Sequence, residues 1–139
     1  MSKVYFSIGS NKGNRSGLIN EAIDNIDLII GKVILKSSIY ETKSWGFNSN
    51  NFYNICLLVE SKLSPELILN KTLTIEKEMG RLKKTDQYSD RFIDIDILFF
   101  DNMIVNSKTL DIPHPRIQLR KFVLTPMLEL TPDLIHPIL

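Results

Sequence analysis

Arg91-Phe92-Ile93-Asp94-Ile95-Asp96-Ile97-Leu98-Phe99-Phe100 is the stretch that decides how this chain folds. From residue 92 to 100 its side chains alternate at a period of two, the mark of a strand in which every second residue faces the same way. Ile93, Ile95, Ile97 and Phe99 take one face and are expected to enter the core. Asp94 and Asp96 share the other face, followed by Leu98 and Phe100. Two carboxylates side by side in so apolar a strand repel each other and resist desolvation. Each would have its pKa raised unless a cation lies between them. Magnesium suits that place, because it takes oxygen ligands and keeps positions for water and phosphate. The plainer alternative is a wet sheet face with solvated aspartates.

Upstream, Val4, Phe6 and Ile8 alternate with Tyr5 and Ser7 and predict another strand, followed by the turn-rich loop Gly9–Asn14. Ile19, Ala22, Ile23, Ile26 and Ile30 recur at helical spacing, so a helix is expected from about Ser16 to Ile30, ending at Gly31. Residues 33–42 and 52–61 read as two strands around a polar loop, Lys43–Asn51, that holds Trp45-Gly46. A second helix is capped by Ser64, opened by Pro65 and closed by Gly80. Arg81–Asp90 is polar and predicts a surface loop. Downstream of the acidic strand, Asp101-Asn102 predicts a hairpin turn before Met103–Val105, and a short helical stretch is expected near Phe122–Leu130. Strand, helix, strand, strand, helix, strand is the order of a two-layer α/β sandwich. The expected class is therefore α+β, ferredoxin-like, with a mainly antiparallel sheet and a C-terminal extension.

The length of 139 residues fits one domain, 1–139. With 43% hydrophobic and 24% charged residues the composition is that of an ordinary globular chain. A net charge of +1 argues against a protein devoted to nucleic acid or acidic membranes. A single cysteine, Cys56, excludes intrachain disulfides and cysteine-rich metal sites. With no apolar leader and no bilayer-length apolar run, a cytoplasmic location and no membrane partner are expected.

Arg81, Lys83, Lys84 and Arg91 lie in the loop that leads into the acidic strand, where guanidinium forks suit phosphate oxygens. A magnesium-dependent enzyme acting on a nucleotide's phosphates follows from that placement. Two alternatives stand beside it: a different Asp-x-Asp phosphotransferase or phosphohydrolase, and a nucleic-acid module in which Phe52 and Phe122 stack bases.

Scattered motifs then align with one family. The run Arg91–Leu98 resembles the Arg-x-x-Asp-x-Asp-Ile-Leu signature of 6-hydroxymethyl-7,8-dihydropterin pyrophosphokinases. Ile8-Gly9-Ser10-Asn11, Tyr40-Glu41-Thr42, Phe52-Tyr53-Asn54, Glu76 with Gly80-Arg81, Ile112-Pro113-His114 and Arg120-Lys121-Phe122-Val123-Leu124 are similar to the family in the same order. The resemblance implies transfer of the β- and γ-phosphates of ATP, as a unit, to the hydroxymethyl group of the pterin, releasing AMP in folate synthesis. It implies two magnesium ions on Asp94 and Asp96, with Arg81 and Arg91 as further catalytic residues. ATP would be met by Arg81, Lys83, Arg91, His114 and Arg120. The pterin would be sandwiched by Phe52 and Phe122, read at its edge by Thr42 and Asn54, and covered by Trp45. The partners implied are the two small molecules, with no nucleic acid, and the chain is expected to be a monomer.

The departures from the family pattern are Lys43 and Ser44 in place of prolines, Tyr88 for Trp, Lys83 for a second Arg, Pro115 for Tyr, and Leu73 for Gln. The chain also stops at Leu139, before a C-terminal segment usual in bacterial members. Together these imply retained activity with altered nucleotide affinity.

Overall fold

Among the described residues, apolar alternation and helical periodicity resolve into seven strands and three helices in a computed structural model. It describes residues 1–42, 51–80, 92–115 and 121–130, the side chains of Lys121 and Phe122 excepted. The order is β1 (Ser2–Ser10), α1 (Arg15–Ile29), β2 (Lys32–Lys36), β3 (Tyr40–Thr42), β4 (Phe52–Ser61), α2 (Pro65–Glu78), β5 (Asp94–Phe100), β6 (Val105–Asn106), β7 (Asp111–Ile112) and α3 (Lys121–Leu130). The main sheet runs β2-β4-β1-β5, with β3 also pairing β4, and every described pairing is antiparallel. Each helical crossover therefore skips a strand, as the expected ferredoxin-like sandwich requires.

The first face of the sheet builds the main core. Val4, Phe6 and Ile8 of β1 meet Ile55, Leu57 and Val59 of β4 and Ile93, Ile95 and Ile97 at β5. Ile19, Ala22, Ile23 and Ile26 of α1 close over them together with Ile68 and Ile75 of α2. Each fully buried aliphatic side chain contributes about 1.5–3 kcal/mol of burial free energy. The helix ends follow their sequence signals. Asn14 Oδ1 accepts from Gly17 N at 3.2 Å, and Ser64 Oγ accepts from Leu67 N at 3.3 Å. Gly80 stops α2 at φ +104°, a conformation that a Cβ would strain.

Three expectations need correction. The strand expected over 33–42 is broken, because Ser37 leaves the ladder: its N–H reaches Cys56 O at 2.9 Å, while its hydroxyl accepts from Cys56 N at 3.0 Å. The turn at Asp101-Asn102 exists, with Met103 N donating to Phe100 O at 3.0 Å. It does not return a strand to β5, however; Val105–Asn106 pairs instead with Asp111–Ile112. Finally, the alternation of the acidic strand fails at its end. Tyr5 pairs with Phe99 while Phe6 pairs with Ile97, so Leu98 bulges and the side-chain phase flips. Phe100, expected beside the aspartates, joins the main core. Phe99, expected in that core, packs on the second face with Leu98, Cys56, Val123 and Met127. The Tyr5 and Phe99 rings meet edge to face at 6.1 Å.

Candidate functional site

The second face mixes buried and half-buried residues, and its register lays out the site. Gly9 of β1 lies opposite Asn54 on one side and Asp94 on the other; Ser7 likewise separates Cys56 from Asp96. Directly opposed residues in an antiparallel sheet point the same way. Tyr40, Asn54, Gly9 and Asp94 therefore form one row across four strands, and Thr42 with Phe52 begins a neighbouring row. Helix α3 packs over the Cys56 and Leu98 region. At Gly9, which is itself buried, a Cβ would stand 3.0 Å from Asn54 Oδ1 and 3.7 Å from Phe52 Cδ1, so the missing side chain leaves the Asn54 amide its place. Two strand spacings, about 10 Å, separate the backbones of Asn54 and Asp94.

Asn54 is buried, and its Nδ2 donates to Thr42 Oγ1 at 2.9 Å. That bond fixes the plane of the amide. Phe52 is half-buried and belongs to neither apolar cluster, so core packing does not account for it. Asp94 and Asp96 are half-buried as well.

Beyond the edge of β5 lies a cleft of about 180 Å3 between α2 and the 109–115 segment, bordered by Leu73, Glu76, Asp96, Leu110, His114 and Pro115. Its polar border comes from the aspartate strand and its apolar wall from α2. His114 N donates to Leu98 O at 3.0 Å, so the carbonyl set aside by the bulge ties the His114 turn to β5. The Ile112–Pro113 peptide bond before it is cis. Glu76 is buried, and its carboxylate accepts from Ile95 N at 2.7 Å, satisfying a donor on the strand's outer edge.

Of the residues singled out from sequence, Thr42, Phe52 and Asn54 come together on one side of Gly9. Asp94 and Asp96 lie on the other side, and His114 meets Asp96 across the cleft. Phe122 falls in the first turn of α3. Arg81, Lys83, Arg91, Arg120 and Trp45 lie outside the described residues, as do Tyr88, Lys43 and Ser44. Sequence reasoning assigned no task to Glu76, although Ile68, Thr72, Ile75 and Glu76 share the buried stripe of α2. A carboxylate on such a stripe is itself a signal. Gly9, which the sequence places at the start of a loop, stands within β1 at the centre of the row.

Comparison with known proteins follows this geometry. Residues 5–132 match the family described as 7,8-dihydro-6-hydroxymethylpterin-pyrophosphokinase. The chain is 41% identical over 141 residues to a 2-amino-4-hydroxy-6-hydroxymethyldihydropteridine pyrophosphokinase of Aquifex aeolicus, covering 99% of this chain and 86% of that protein. It is 40% identical to the protein of the same name from Porphyromonas gingivalis, covering 99% and 95%. It is also 44% identical over 136 residues to the folic acid synthesis protein fol1 of Pneumocystis carinii, of which it spans only 18%. Among solved structures, wild-type Plasmodium falciparum HPPK-DHPS with SDX-DHP is similar in fold, with a TM-score of 0.78 at 18% identity. That match covers all of this chain and 41% of the other.

Proposed function

Because the chain belongs to the 7,8-dihydro-6-hydroxymethylpterin-pyrophosphokinase family, we propose that its two substrates meet over Gly9, with ATP on the Asp94 side and the pterin on the Asn54 side. The reaction is transfer of the pyrophosphoryl group of ATP to 6-hydroxymethyl-7,8-dihydropterin, with release of AMP, a step of folate synthesis. The hydroxymethyl oxygen forms a bond to the β-phosphorus, the bond from that phosphorus to the α-phosphate oxygen breaks, and the hydroxyl proton is lost.

The observation that carries this reading is the row Asn54–Gly9–Asp94. It puts a hydrogen-bonding edge and a carboxylate strand on one face, with no side chain between them. Asn54 gives one amide proton to Thr42, and its Oδ1 and second proton are then the groups that read the pterin edge. Phe52 and Phe122 offer faces for the ring, and Trp45 a cover. The cleft beside Asp96 and His114 takes the nucleotide, with Leu73 and Leu110 as apolar walls for its base. Arg81, Lys83, Arg91 and Arg120 are assigned to the phosphates.

Asp94 and Asp96 fit magnesium: two half-buried carboxylates on one face, with Asp96 at the border of the cleft, match an ion held by one or two carboxylates plus substrate oxygens. Two such ions, when bound, neutralise the phosphate charge and orient the group in transit. The domain, 1–139, is read as a cytoplasmic monomer; among the described residues no helix is long and apolar enough to cross a membrane.

The test is product identity. With ATP, Mg2+ and hydroxymethyl-dihydropterin, AMP should appear in step with the pterin diphosphate. ADP, or phosphate released without pterin modification, would exclude transfer of both phosphates as a unit.

A further inference from the structure

The short strand β3 carries Thr42, the partner of Asn54, and it is joined to the sheet only through β4 among the described residues. Its start is held by something else. Glu129, in the last turns of α3, accepts from Ser38 N at 2.9 Å, from Ser38 Oγ at 3.4 Å, and from the Tyr40 hydroxyl. These bonds fall at the break between β2 and β3, where Ser37 has left the ladder and the Ser38 N–H needs an acceptor. The electrostatics agree: the Tyr40 hydroxyl first, and the Ser38 N–H second, hold the Glu129 carboxyl below its usual range. The same bond to Glu129 raises the Tyr40 phenol.

Tyr40 is also the outer member of the row that runs through Asn54 and Gly9 to Asp94. Glu129 sits seven residues, close to two helical turns, after Phe122 on α3. One carboxylate thus ties the helix that bears Phe122 to the strand that bears Thr42. The apolar packing of Val123 and Met127 holds α3 onto the sheet. Packing of that kind is tolerant of sliding, whereas three directed hydrogen bonds fix where along β3 the helix lies.

We propose that Glu129, acting through Ser38 and Tyr40, is a positioning residue that sets the width of the pterin slot between α3 and β3. It touches neither substrate in this assignment, which rests on the pterin reading of Thr42, Asn54 and Phe122 given above. Because the contact is solvent-exposed, its loss should cost little global stability. Its effect should fall on one ligand only.

The experiment measures binding of hydroxymethyl-dihydropterin and, separately, of a non-hydrolysable ATP analogue to wild type, Glu129→Ala, Glu129→Gln, Tyr40→Phe and the Tyr40→Phe/Glu129→Ala double variant. Melting temperatures are taken alongside. Glu129→Ala should weaken pterin binding by about tenfold while nucleotide binding stays within about twofold. Glu129→Gln, which keeps one acceptor oxygen for Ser38 and turns an amide donor toward the Tyr40 hydroxyl oxygen, should restore most of the affinity. The double variant should be no worse than Glu129→Ala alone, since both act through one network. Pterin affinity unchanged in Glu129→Ala would overturn the proposal, and so would equal weakening of both ligands. Should Glu129→Ala not fold, Tyr40→Phe, which removes the hydroxyl donor, decides by the same contrast: weaker pterin binding with nucleotide binding unchanged supports the proposal, and unchanged pterin binding overturns it. A wild type that binds no pterin would overturn the underlying reading instead, and the controls separate the two failures.

Discussion

Replacing Gly9 by alanine separates folding from function in this protein. The added Cβ would lie 3.0 Å from Asn54 Oδ1, about 0.4 Å short of ordinary contact. Asn54 is buried and bonded to Thr42, so its amide yields only by moving as a unit or by breaking that bond. Two effects on stability then oppose each other. Alanine reduces the freedom of the unfolded chain, a gain of about 0.4–1 kcal/mol at a site whose φ is not positive. Loss of the Asn54–Thr42 bond costs about 0.5–1.5 kcal/mol. The net change should stay within about 1 kcal/mol, a small shift in a urea midpoint. Function has no such compensation. A displaced amide forfeits the bonds that read the pterin edge, weakening pterin binding by about tenfold. The methyl also stands where the hydroxymethyl group and the β-phosphate must meet, and a misplacement of this kind reduces turnover by up to about a hundredfold. Fluorescence titration with the pterin, AMP release and urea unfolding measure the three quantities. A Gly9→Ala protein with wild-type pterin affinity and turnover would refute the placement of both substrates over this row.

Other expectations follow from the same face. Asp94→Ala or Asp96→Ala should reduce AMP formation by at least about a hundredfold, far more than Lys83→Ala, because each removes a carboxylate from the site that neutralises phosphate. Chelating the metal should abolish turnover in the wild type, and added Mg2+ should restore it. Glu76→Ala leaves the Ile95 N–H without its carboxylate and should lower unfolding free energy by about 1–3 kcal/mol in urea, whereas a surface glutamate such as Glu21 should not. Burial pushes the Cys56 thiol up to about 12, so the folded protein should react slowly with a disulfide reagent at pH 8 and the urea-unfolded protein quickly. A native thiol that reacts at the unfolded rate would contradict that burial. The folded state keeps this proton where the unfolded state, with an ordinary thiol near pH 8.5, has lost it. Stability should therefore fall as pH rises above about 8.5, by up to about 1.4 kcal/mol per unit from this group.

The parts legible in sequence were those governed by local rules. Val4, Phe6 and Ile8 alternate because one face of β1 is buried, and Ser64-Pro65 with Gly80 mark the ends of α2 through capping chemistry that needs no tertiary contact. The illegible parts depend on partners distant along the chain. Leu98 bulges because of how β5 meets β1, and nothing in the run Ile97–Phe100 announces the change of phase. Ser37 breaks its strand through bonds to Cys56, nineteen residues away. The same holds for the site. Asp94 and Asp96 were visible as an oddity of composition, but the pairing of Thr42 with Asn54 and the close approach of Asn54 to Gly9 emerge only once β1, β3 and β4 are in register. Tyr40 and Glu129 are 89 residues apart, and neither carries a local sign of the other.

The bulge at Leu98 also governs how this strand can be edited. Counting by twos is valid from Asp94 to Ile97 and again from Phe99 onward, but not across the break. A library that recodes residues 94–100 as one alternating strand would send polar codons to Phe100, a core position, and apolar ones to the wrong partner at Phe99. Treated as two short strands, the acidic half can be varied for chemistry while the aromatic half is varied for packing against α3. Deleting one residue at Leu98 would fuse these two design units and remove the carbonyl that tethers His114.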